Sequence, residues 1–147
     1  MNNLLSNLKD PLVGLPMLTP FDEKDKVDYS SALYNVEKWN KTKADIFIIG
    51  TASGEELYLS EDEKVNLVST ISGSLEKGKV VCAGIDNPSI SETLRLAENY
   101  EKSGAKLLRI RYPRNEATLR EYFKEVLKFS PLPVLLMHQG EPLNFGV

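Results

Sequence analysis

Gly50-Thr51-Ala52-Ser53-Gly54-Glu55 is a glycine-bracketed turn between an apolar run and a helix start, and its reading decides how the whole chain folds. The residues before it, 44–49, are too few and too apolar for a surface helix and suit a parallel strand covered on both faces. Beyond it, Ser60-Glu61-Asp62-Glu63 is a capping box, and the helix it opens carries Val65, Val68, Ile71 and Leu75 on its apolar positions. Strand, turn and capped helix make one βα unit.

The same unit repeats in both directions. Strand-type runs occur at 13–18, 79–83, 106–111 and 133–137, and a short helix is expected at 3–8. Asp28 caps a helix through Leu33, Val36 and Trp39. Ser89 and Glu92 repeat the capping box for a helix with Leu94, Ala97 and Tyr100, which Gly104 ends as a left-handed cap. Asn115 starts the last helix, with Leu119, Phe123, Val126 and Leu127 on its buried face. No linker interrupts residues 1–147, so the pattern is a single α/β domain of four βα units and a fifth strand. It suits two architectures: a flavodoxin-like doubly wound sheet, favoured by length, or part of a TIM (β/α)8 barrel, whose full form needs about 250 residues.

Composition narrows the function. The formal charge is −3 and no basic run is present, which argues against nucleic acid as a partner, because phosphate binding needs clustered Lys and Arg. No apolar run approaches the roughly 20 residues of a membrane span, and Met1-Asn2-Asn3-Leu4-Leu5 is too polar and brief for a secretory signal, so a cytoplasmic location is expected. The single cysteine, Cys82, lies in an apolar run without a nearby cation and reads as a small hydrophobe. Neither a metal site nor a cofactor is expected.

The loops after the strands favour the barrel. Leu18-Thr19-Pro20-Phe21 follows the first strand and leads to Val27-Asp28; the Gly50 to Glu55 loop follows the second, with Leu59-Ser60 and Glu63 beyond it. With Ala83-Gly84, Ser103-Gly104-Ala105, Pro113 and Leu132-Pro133-Val134 in order, the chain resembles the dihydrodipicolinate synthase and N-acetylneuraminate lyase family from about Leu15 onward. The resemblance implies a barrel enzyme that forms an imine between a lysine on the sixth strand and a 2-oxo acid, usually pyruvate, and makes or breaks a carbon–carbon bond. It further implies that hydroxyl and N–H donors of the second loop hold the substrate carboxylate, and that a tyrosine ending strand five relays protons.

Transferred residue by residue, the loop contributes Thr51, Ala52, Ser53 and Gly54 as the substrate-binding candidates, with hydroxyl donors retained under either alignment of the loop. Its alternative reading is a glycine-rich turn of geometric purpose alone. Glu55 is expected to support the loop. The tyrosine position holds Met137, which cannot relay a proton; His138, the only histidine, is adjacent and is the catalytic candidate, against an ordinary loop histidine. Tyr112 precedes Pro113, with Arg114 and Asn115 after it, where the family has tyrosines. Arg109 and Arg111 share one face of strand four and are read either as salt-bridged or, Arg111 especially, as ligands for an acidic substrate.

No lysine in the sequence qualifies as the nucleophile. Lys79 and Lys106 begin their strands, at the far end of the barrel, and Lys41, Lys43, Lys64, Lys77, Lys102, Lys124 and Lys128 fall on helices or their ends as solvated charges. The chain is therefore expected to be the N-terminal part of a Schiff-base aldolase or lyase, truncated before its lysine and inactive alone. Its expected partners are a small 2-oxo acid and either a second copy or a complementary barrel part that covers the exposed edges. The competing expectation is a non-catalytic small-anion binding or regulatory protein built on the doubly wound sheet.

Overall fold

The computed structural model describes residues 11–111 and 116–137. Strands β1 (Gly14–Pro16), β2 (Ile46–Ile49), β3 (Val80–Gly84), β4 (Leu107–Arg111) and β5 (Val134–Met137) form one parallel sheet in the order β1-β2-β3-β4-β5. Helices α1 (Tyr29–Asn40), α2 (Glu61–Ser72), α3 (Ile90–Lys102) and α4 (Glu116–Phe129) connect them. The expected helix at 3–8 and the expected start at Asn115 lie outside the described residues.

Strand order separates the two architectures. A doubly wound sheet reverses direction at a switch point, so that helices cover both faces. Here each strand pairs with its sequence neighbour throughout, and each helix packs beside the next, α1 on α2, α2 on α3 and α3 on α4. Right-handed crossovers that never reverse put every helix on one face and curl the sheet toward a barrel. The fold is a partial TIM barrel, and the flavodoxin-like alternative is corrected by this order.

The two faces of the sheet are buried differently. The helix-facing side carries the larger core, in which Phe47, Ile49, Val81, Ala83, Leu108 and Ile110 meet Val36, Val68, Ile71, Ala97 and Tyr100. The opposite face, which becomes the barrel interior, holds a small cluster of Ile46, Val80, Cys82 and Leu107, with Ile48 against it. The register sets Cys82 beside Leu107 and Gly84 beside Arg109, so strand alternation puts Arg109 and Arg111 on the interior face as well.

Capping follows the sequence closely. Asp28 accepts hydrogen bonds from the Ser30 and Ser31 amides, and the Ser60–Glu63 box is reciprocal. The helix faces are rotated slightly from expectation: α1 buries Ala32, Val36 and Asn40, leaving Trp39 41% exposed. Asn40 is drawn inward because its amide bridges Ser74 O and Glu76 N at the turn before β3. Leu127, expected in the core, is instead 47% exposed, alongside Phe129, Leu135 and Leu136 at the β5 end of the array. Among the described residues nothing packs over that end, and β1 and β5 each have a strand on one side only. Among the described residues no helix is long and apolar enough to cross a membrane.

Candidate functional site at the C-terminal mouth

The turn after β2 is built by its own backbone. Thr51 caps a short 3-10 turn, Ala52–Gly54: its hydroxyl oxygen accepts the Gly54 amide at 3.2 Å. Gly54 is buried, and a Cβ there would lie 2.7 Å from Met17 O, so the residue is dictated by close approach to the strand-one loop. Thr19 completes the joint by donating its hydroxyl to Gly54 O at 2.7 Å. The loops after β1 and β2 are thereby locked together, with Ala52 and Ser53 exposed between them. Their N–H groups begin a helical turn, where the repeating pattern supplies no acceptor. Glu55 leaves the turn in the left-handed region, φ 55°, with its side chain exposed.

Behind the turn lies a charged cluster that sequence reading half anticipated. Arg109 is 5% exposed, and its Nη2 donates to Gly50 O at 2.5 Å and to Asp86 Oδ2 at 2.7 Å, with Glu56 Oε2 at 3.4 Å. Arg111 donates from Nε to Asp86 Oδ2 at 3.0 Å, from its backbone N–H to Asp86 Oδ1 at 2.6 Å, and from Nη2 to Glu56 Oε1. Two arginines face two carboxylates, so the cluster is neutral when all four are charged. Burial raises the Glu56 carboxyl above its ordinary pKa, against the opposing pull of Arg111 and Arg109.

The carboxylates were not singled out from sequence. The available signal was charge balance: two arginines on an interior face require acidic partners from adjoining loops. Glu56 was hidden behind exposed Glu55 in a Glu-Glu pair, and Asp86 sits in the ordinary-looking Ile85-Asp86-Asn87-Pro88 turn.

Other candidates fall as follows. Met137 ends β5 with its sulfur 3.6 Å from Arg109 Nη1, so the strand-five position does face the cluster. His138, Tyr112, Pro113, Arg114 and Asn115 lie outside the described residues. Lys79 stands before β3 at the opposite end, its ammonium bonded to Thr42 O and Ala44 O. Lys64 corrects its expectation as a solvated helix charge: it is half-buried and lines a small cleft with Glu56, Asp86 and Arg111, because the first turns of α2 overhang the mouth. Cys82 is fully buried in the interior cluster, and burial pushes its thiol up to about 12. Among the described residues no group of His, Cys, Asp and Glu is arranged to hold a metal.

Sequential parallel strands, helices on one face and a loop cluster at the strands' C-terminal ends define a (β/α)-barrel chain with its site at the mouth. Residues 12–139 match the dihydrodipicolinate synthetase family, and the chain belongs to it. It is 28% identical over 124 residues to 4-hydroxy-tetrahydrodipicolinate synthase from Heliobacterium modesticaldum, covering 82% of this chain and 41% of that protein. To the enzyme of the same name from Bacillus subtilis it is 24% identical over 128 residues, covering 84% and 44%. Among solved structures, dihydrodipicolinate synthase from Agrobacterium tumefaciens superposes with a TM-score of 0.80 at 21% identity, over 92% of this chain and 47% of that one. The Aquifex aeolicus dihydrodipicolinate synthase gives 0.77 at 21% identity, over 84% and 43%. The chain thus spans less than half the length of the relatives it matches.

Proposed function

We propose that residues 1–147 form the carboxylate-binding half of a Schiff-base carbon–carbon lyase acting on pyruvate or a related 2-oxo acid. The observation that carries this reading is the Thr51 turn: hydroxyls of Thr51 and Ser53 and the leading N–H groups of a tight turn sit at the C-terminal end of β2, fixed by Gly54 and Thr19. Such donors suit a carboxylate and would aim its neighbouring carbonyl at an amine. The names of the matched synthases support the class, and family membership supports the barrel context.

The amine itself is not supplied by this half. A Schiff-base lysine must stand at the mouth with its pKa lowered by burial or charge; Lys79 is at the opposite end, and Lys64, which lines the cleft, springs from α2 and not from a barrel strand. In this reading the lysine comes from further βα units that pair with the open edges of β1 and β5 and cover Leu127, Phe129, Leu135 and Leu136. Those units come from the same chain or a complementary polypeptide; a second copy would cover the edges but bring no new lysine. A reducing, cytoplasmic setting suits the buried free thiol of Cys82.

The test pairs binding with trapping. Residues 1–147 should bind pyruvate saturably in calorimetry, and binding should weaken in Thr51→Ala; borohydride with pyruvate should leave the intact mass unchanged. Absence of binding would remove the carboxylate assignment, and a stoichiometric adduct on one lysine would show that this half carries its own nucleophile.

A further inference from the structure

We propose that Arg109 is an anion-recognising, specificity-determining residue of this site, offering its Nε–H to a carboxylate oxygen of the 2-oxo acid. The inference deepens the proposed function and rests on it for the identity of the ligand, but its evidence is separate from the Thr51 turn.

The guanidinium spans the mouth. Nη2 reaches the ends of β2 and β3 through Gly50 O and Asp86, while Nη1 lies against Met137 at the end of β5. Gly84 keeps this space open, since a Cβ there would lie 2.7 Å from Nη2 and 2.3 Å from Gly50 O. Gly50 directly precedes Thr51, so the same cation holds the root of the turn proposed to bind the carboxylate.

Its hydrogen bonding is lopsided. Nη2 is surrounded by oxygen acceptors, whereas Nη1 has the Met137 thioether, a weak acceptor, at 3.6 Å. Nε is buried with no acceptor among the described residues, on a side chain only 6% exposed. A purely structural ion pair should leave no such donor, because an unsatisfied buried polar group costs about 1–3 kcal/mol. Guanidinium donors diverge in one plane, so the Nη2 contacts do not consume the other two nitrogens. With the strand-five position occupied by a sulfur that can neither donate nor relay a proton, Arg109 is the polar group that faces it.

The test is side-chain NMR on residues 1–147. The Arg109 Nε–H resonance, assigned through bonds, is followed during pyruvate titration, together with the amides of Thr51, Ala52, Ser53 and Gly54; sodium chloride at equal ionic strength is the control. The expected result is a saturating downfield shift of Nε–H at the same pyruvate concentration that saturates the loop amides, and none with chloride. A stationary Nε–H with moving loop amides overturns the Arg109 assignment and leaves the loop reading standing. A moving Nε–H with stationary amides supports Arg109 and removes the loop. If neither moves, or chloride reproduces the Nε–H shift, the assignment is overturned.

Discussion

Replacing Asp86 by alanine should be among the most damaging single changes at the mouth. Its carboxylate receives three hydrogen bonds, from Arg109 Nη2 at 2.7 Å, the Arg111 backbone N–H at 2.6 Å and Arg111 Nε at 3.0 Å. Without it Glu56 is the remaining carboxylate of the four-residue cluster, whose net charge passes from neutral to about +1. Removing one partner of a buried ion pair costs about 3–5 kcal/mol. The Asp86 side chain is 20% exposed, so water recovers part of the loss, and about 3 kcal/mol is expected. With a urea m-value of about 2 kcal/mol/M, the unfolding midpoint should fall by about 1.5 M in far-UV circular dichroism. Asp86→Asn, which keeps an acceptor oxygen, should fall between the two. Converting all four residues to apolar side chains of similar volume should cost far less than the single change, because it removes the desolvation penalty along with the attraction. An Asp86→Ala midpoint within about 0.3 M of the parent would refute the view that these four residues act as one buried network.

Three further outcomes are expected. Cys82 should resist thiol reagents at pH 8 in the folded chain, since burial shields it and pushes its thiol up to about 12, and should react stoichiometrically once urea exceeds the midpoint; rapid native labelling would contradict its burial. Gly84→Ala should destabilise the chain by about 1–3 kcal/mol through overpacking against Gly50 O and Arg109, and an unchanged midpoint would mean that the mouth is looser than described. Ser60→Ala should cost about 1 kcal/mol by removing the cap of α2. The Ser60 hydroxyl and N–H also hold the Glu63 carboxyl below its ordinary range. That contribution is present above the unfolded-state pKa and fades as pH falls through the folded one, so the variant's Glu63 titration should move upward by NMR.

The elements themselves were legible because each rests on local chemistry. Asp28, Ser60 and Ser89 accept from the amides they were expected to cap, and Gly104 takes its positive φ of 103° just past α3. The five apolar runs became the five strands because β-type runs that short cannot be surface helices. The Thr51 turn was also visible, since glycine spacing and hydroxyl residues report directly on a tight βα loop.

Strand order, helix rotation and charge pairing were settled only by tertiary packing. Periodicity shows that strands alternate with helices, but a doubly wound sheet and a barrel segment share that alternation, and only the pairing of β1 with β2 and onward distinguishes them. Trp39 and Leu127 turned outward because which apolar face is buried depends on what packs opposite, as Asn40 shows by being pulled inward to the β3 turn. For the arginines, alternation along β4 was enough to put Arg109 and Arg111 on one face. Their partners, Glu56 and Asp86, stand 53 and 23 residues from Arg109 in sequence. Coulombic pairing depends on distance in space, and the curl of the sheet brings those loops over one mouth.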